Sequence, residues 1–180
     1  MSLRSTTTTY GRVAQALHWI TFLLLLPLAP MGLVMVGMAD GPTKTGLYQA
    51  HVFLGLVVAA LTVFRAIWRL TEPTPAVPAG ITGPHVWLYK GVHLLFYVVL
   101  IGLGLSGMGI LALSGLNPFN VAPESINHDV PPIAGHFVLS RLYMLLLVLH
   151  LVGVFRYQFF EGNVFARMGL GWLKIGRQNI

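Results

Sequence analysis

Four long apolar runs, roughly 14–38, 47–70, 87–113 and 133–157, constrain this chain more than any other feature. Each exceeds the ~20 residues that cross ~30 Å of hydrocarbon at ~1.5 Å per residue. Lipid offers no partner for backbone N–H and C=O groups, so runs of this length must be helical. With 56% hydrophobic and only 9% charged residues, and a mean hydropathy of +0.76, the chain lacks the polar surface a soluble domain needs. The expected fold is an all-α membrane protein, a four-transmembrane-helix bundle filling one domain over residues 1–180. No internal repeat is visible.

Charge placement predicts the orientation. With four spans both termini share a side, which collects Arg4, Arg12, Arg65, Arg69, Lys90, Arg156, Arg167, Lys174 and Arg177, nine of the 11 basic residues. The other side keeps Lys44 and Arg141, along with Asp40, Glu124 and Asp129. The positive-inside rule therefore puts both termini in the cytoplasm. The net charge of +6 reports topology and contact with anionic lipid, and it is no argument for nucleic-acid binding. The first run exceeds signal-peptide length and reads as a retained helix. The Thr6–Thr9 tract reads as a solvated tail, and the proline-rich "TEPTPAVPAGITGP" as an extended link. Prolines 131 and 132 mark the start of the last helix. Residues 158–180 mix aromatic and basic side chains, which suits a segment lying in the interface.

The string "GLGLSG" at 102–107 is formally G-x-G-x-x-G, but a dinucleotide site needs that pattern between a strand and a helix start. Here it lies inside a membrane span, where Gly102, Ser106 and Gly109 share one face and favour close helix contact or room for a bulky cofactor.

The seven histidines carry more information. His85 and His128 fall in loops. His18, His51, His93, His136 and His150 fall in the spans, where an imidazole is costly and marks function by default. Fourteen residues separate His136 from His150, which places the two rings on one helix face about 21 Å apart. His136 is then level with His51 near the outer surface, and His150 is near the level of His18 and His93 on the inner side. Two ligand pairs at two depths suit two stacked cofactors. The absence of Cys excludes thiolate-held iron–sulfur clusters and c-type haem attachment. The spans also lack carboxylates for a di-iron or typical cation site. A haem b held by two histidines needs only imidazoles and an apolar slot, to which Gly55 and Ala59 could contribute.

"ALHWI" at 16–20, "HVFLG" at 51–55, "FRAIWRL" at 64–70, "HLLFY" at 93–97, "NPF" at 117–119, the His136 to His150 pair and "EGNVFARM" at 161–168 together resemble the bacterial cytochrome b561 family. These are small four-helix proteins of the inner membrane that enclose two b haems. The resemblance implies His18 and His150 as ligands of the inner haem, and His51 and His136 as ligands of the outer one. His93 matches a family histidine outside the ligand set. Arg65, fourteen residues after His51, is placed to meet an inner haem propionate, whereas Arg69 snorkels to lipid phosphate. Arg141 lies about 140° around the helix from His136 and points off that face.

The family includes a superoxide oxidase, so the resemblance implies superoxide oxidation at the outer face and ubiquinone reduction in the bilayer. Lys44 and Arg141 are the candidates for attracting the anion, and Lys90 and His93 are candidate quinone contacts. Two other readings carry different expectations: a cytochrome b subunit that hands electrons between quinone and a partner dehydrogenase or hydrogenase, and a histidine-based transporter or proton relay without haem. The sequence names neither a partner protein nor a homo-oligomer.

Overall fold

The computed structural model describes residues 2–173. Its helices are α1 (Arg12–Val34), α2 (Pro42–Leu70), α3 (Pro84–Leu113), α4 (Pro131–Phe160) and the short α5 (Val164–Arg167), with single 3-10 turns at Met35–Gly37 and Pro123–Ser125. Among the described residues there is no strand, only an isolated bridge between Asn117 and Asn120. Four helices are long and apolar enough to cross a membrane, and the chain is a multi-pass membrane protein.

The helices outrun the apolar stretches at several ends. α2, α3 and α4 each begin at a proline, whose missing N–H costs nothing in a first turn that has no intrahelical partner for it. Gly41 and Gly83 precede two of those prolines at positive φ, a conformation that favours glycine. Hydropathy sees none of this, which is why the expected starts at 47, 87 and 133 came late. His85 consequently lies in the first turn of α3 and not in a loop. Pro27 and Pro30 remove two backbone donors inside α1, yet the helix runs on to Val34 and then tightens into the 3-10 turn at Met35–Gly37.

α1 packs on α2, α2 on α3, and α3 most extensively on α4. Small residues permit the last two contacts. Gly102 and Gly109 meet Leu139 and Pro132 of α4, and a Cβ built on Gly104 would stand 2.6 Å from the Cβ of Ala59 in α2. Helix packing thus explains "GLGLSG", and Ala59 belongs to this contact and not to a cofactor slot. The buried core, Val99 and Leu100 of α3 with Tyr143 and Leu146 of α4, lies midway along the bundle, and Leu25 and Ala29 of α1 pack against it. Leu23, Phe53, Leu105 and Val152 point outward, as expected where the solvent is lipid and not water.

The end that carries the termini is tied down more firmly than the sequence suggested. Thr6–Thr9 are exposed, as expected of a solvated tail, but Ala76 N–H donates to the Thr7 carbonyl at 2.8 Å. Arg167 Nη2 donates to Ala76 O at 2.6 Å, Tyr157 OH to Ala79 O at 3.0 Å, and Trp19 Nε1 to Met168 O at 2.8 Å. A proline-rich link has few internal hydrogen bonds, so its Ala76 and Ala79 carbonyls accept from Arg167 and Tyr157 instead. The expected interfacial segment 158–180 divides: residues 158–160 finish α4, Asn163 caps α5 through Ala166 N–H, and 174–180, including Lys174 and Arg177, lie outside the described residues.

Candidate functional site: imidazole pairs across an open seam

α4 packs closely on α3 and, near its end, on α5, but among the described residues it does not pack closely on α1 or α2. Histidine side chains bridge that seam. His18 of α1 faces His150 of α4 with ring centres 6.3 Å apart, and His51 of α2 faces His136 of α4 at the same 6.3 Å. All five membrane histidines are only half-buried, because their rings open onto space between helices. Among the described residues no three or more His, Cys, Asp or Glu gather to hold a bare ion.

The outer pair is shaped by glycine and serine. A Cβ on Gly32 would fall 2.9 Å from Cε1 of His51, and one on Gly107 would fall 3.6 Å from Cε1 of His136. Gly55 has nothing within 4 Å of the Cβ it lacks, so it leaves space on the His51 side. Ser106 Oγ lies 3.1 Å from the Leu103 carbonyl and 3.0 Å from Nδ1 of His136. A hydroxyl has one proton, and the carbonyl can only accept it, so Ser106 accepts from His136 Nδ1–H. That fixes the tautomer and leaves Nε2 free to act as a ligand. Nδ1 of His51 is buried without a hydrogen-bond partner.

The inner group is larger. His18, His93, His150, Arg65 and Arg69 line a cavity of about 480 Å³ that runs to the end carrying the termini. His93 Nδ1 lies 2.6 Å from the Tyr89 carbonyl and therefore carries a proton. Its ring centre is 5.6 Å from that of His150, as is that of Phe96. Arg65 crosses from α2 to stack on Tyr97 at 5.7 Å.

Other candidates are placed less centrally. Lys90 is exposed and is not among the cavity-lining residues, so the structure does not join it to His93. Lys44 Nζ is held by Asp40 Oδ1 at 2.8 Å. Arg141 is exposed and lies over Phe137 at 4.6 Å, off the histidine face as its helical angle predicts. Sequence reasoning missed Ser106, Gly32 and Gly107 as neighbours of the imidazoles, and Trp68 and Glu72 as cavity residues. Only Ser106 had left a signal, its place on the small-residue face.

A family model for prokaryotic cytochrome b561 matches residues 9–171. This chain belongs to the prokaryotic cytochrome b561 family. A relative from Escherichia coli (strain K12), cytochrome b561 homolog 2, is 26% identical over 183 residues, covering 95% of this chain and 96% of the relative. Membership implies a b haem and transmembrane electron transfer. The donors facing the seam fit that cofactor: a cytochrome b561 without cysteine offers imidazole nitrogen alone, in facing pairs.

Proposed function

We propose that this chain is a two-haem cytochrome of the bacterial cytoplasmic membrane, its termini cytoplasmic, which carries electrons from superoxide at the outer face to ubiquinone in the bilayer. The observation that carries this reading is the repeated 6.3 Å separation of imidazoles across the seam. Two metal–nitrogen bonds of about 2.0 Å, with about 1.2 Å from each nitrogen to its ring centre, require about 6.4 Å. His18 and His150 would hold the inner haem, and His51 and His136 the outer one. His93 stands apart, since 5.6 Å from His150 is too short for a shared iron. When bound, the haems supply one-electron transfer with no coordination position open to dioxygen.

The remaining roles belong to the chain's own side chains. Ser106 orients His136, Arg65 neutralises a propionate at the inner level, and the layer of Val99, Leu100, Tyr143 and Leu146 keeps water out between the two levels. Lys44 and Arg141 draw a small anion towards the outer end. Arg141 is the stronger of the two, since the charge of Lys44 is compensated by Asp40.

A haem count on purified protein tests the ligand set. Wild type should hold two haems per chain, and His18→Ala, His51→Ala, His136→Ala and His150→Ala should each lose haem while His93→Ala keeps both. Loss with His93→Ala but not with His18→Ala would overturn the assignment, and a colourless wild type after haem supplementation would leave the haem-free relay. Superoxide generated beside liposomes containing the protein and ubiquinone should yield quinol. A preparation that dithionite reduces but superoxide does not would transfer the donor role to a partner protein.

A further inference from the structure

The segment before α1 is folded back as a strap, and with α5 it encloses a second cavity of about 110 Å³, lined by Ser2, Arg4, Thr9, Tyr10, Gln15 and Arg167. Ser5 fastens the strap to the end of α2, donating N–H at 3.2 Å and Oγ–H at 2.7 Å to Glu72 Oε2. Gln15 Nε2 donates to the Tyr10 carbonyl at 3.0 Å and to the Arg167 carbonyl at 3.3 Å, which joins the two walls. The first backbone donors of α1 are taken up within the strap, Arg12 N–H by Ser2 O at 3.1 Å and Val13 N–H by Leu3 O at 3.3 Å. An anion in this cavity would therefore be met by side chains and not by the helix end.

Two of those side chains are guanidinium groups, and no acidic residue lines the cavity. Neither Arg4 nor Arg167 has a carboxylate partner among the described residues, whose ion pairs are Lys44–Asp40 and Arg156–Glu161. Arg4 lies over Trp68 at 6.0 Å, a contact that holds a guanidinium by its face and leaves the N–H groups at its rim to donate. Arg167 gives Nη2 to the Ala76 carbonyl and keeps most of its donors. From this pairing we infer a site for the phosphate of an anionic phospholipid, bridged by Arg4 and Arg167, whose planar forks match phosphate oxygens. The Ser2 hydroxyl, whose oxygen accepts from Arg4 N–H at 3.2 Å, has its own proton left to donate. The site is independent of which molecule supplies or takes the electrons.

Position selects a lipid over a free phosphate. The cavity lies where α1 enters its span, and apolar side chains are exposed close in sequence to both arginines. Leu3, next to Arg4, is 67% exposed, and Trp172, shortly beyond Arg167, is 73% exposed. Leucine and tryptophan left open beside basic residues suit the boundary between head groups and acyl chains. A lipid seated there meets the guanidinium groups with its phosphate and these side chains with its glycerol and upper chains. Tyr10 and Arg167 also line the inner cavity, so one wall divides the two spaces. A phosphate bridging the strap to α5 braces that wall and holds Ser5 and Tyr10 in place at the inner cavity.

The test strips haem-loaded protein of lipid in a neutral detergent, adds back phosphatidylglycerol or phosphatidylcholine, and counts bound lipid by native mass spectrometry. Wild type should bind phosphatidylglycerol in preference to phosphatidylcholine, whose choline offsets the phosphate charge. Arg4→Gln and Arg167→Gln should each weaken phosphatidylglycerol binding about tenfold or more, the effect of a lost hydrogen bond to a charged group. Arg12→Gln removes the same charge at the same end from an exposed residue that lines neither cavity, and should change binding by no more than about twofold. Equal weakening in Arg12→Gln, or equal binding of the two lipids by wild type, would overturn the site in favour of diffuse attraction to the basic surface. Inorganic phosphate that displaces phosphatidylglycerol at equal concentration would overturn the lipid as the occupant. Should Arg167→Gln lose its haem spectrum along with its bond to Ala76, Arg4→Gln decides alone, and unchanged binding in that variant would refute the proposal.

Discussion

Replacing Gly32 with alanine should disable the outer haem site while leaving the inner one intact. The Cβ would stand 2.9 Å from Cε1 and 3.4 Å from Nδ1 of His51, whereas comfortable carbon contacts lie at about 3.5–4.0 Å. The ring must retreat by about 0.6–1 Å, towards His136 on the far side of the seam. Overpacking of this kind costs about 1–3 kcal/mol, against which the helix-propensity gain of Gly→Ala returns at most about 1 kcal/mol. A net cost of up to about 2 kcal/mol corresponds to as much as ~30-fold weaker occupancy of the outer site. The assay is a haem count with a redox titration, in which Gly32→Ala should show one component reduced in amplitude or shifted and the other unchanged. Gly46→Ala on α2, with nothing within 4 Å of the added Cβ, is the control and should leave both components as in wild type. Two normal components in Gly32→Ala would mean that His51 does not hold its ring where the outer haem binds.

Two further perturbations address the outer half. Ser106→Ala removes the acceptor for His136 Nδ1–H and should weaken outer-haem affinity about 10–100-fold, measured as faster haem transfer to a scavenging apoprotein; an unchanged rate would show that another group orients the ring. Asp40→Asn frees Lys44 from its 2.8 Å ion pair and should raise the superoxide-driven rate about two- to threefold at low ionic strength, with the gain vanishing in high salt. A slower or unchanged rate in Asp40→Asn would remove Lys44 from anion attraction.

Helical periodicity was a dependable guide because it depends only on the chain's own geometry. It put His136 and His150 on one face of α4 and Arg141 off that face, and both placements follow from rise and turn angle alone. It also assigned Gly102, Ser106 and Gly109 to one surface, but it could not say that Gly102 would meet Leu139 or that Ser106 would accept from His136. Ala59 shares a face with His51, yet it packs on Gly104 of α3. Face-sharing defines a direction, and the neighbour in that direction comes from a different helix.

The same distinction separates His18 from His93. Both lie at one depth, and depth is all that spacing measures. In the bundle their ring centres lie 6.3 Å and 5.6 Å from that of His150, and the Tyr89 carbonyl holds the Nδ1–H of His93. The sequence by itself determined the number of spans, their apolar exterior and the two levels of histidine, since hydrocarbon thickness and helix pitch leave no other solution for these runs. Only the tertiary structure decided that α4 stands apart from α1 and α2, that imidazoles bridge the seam, and that Trp68 and Glu72 line the inner cavity. Those outcomes depend on how separate helices pack, which no single run of residues encodes.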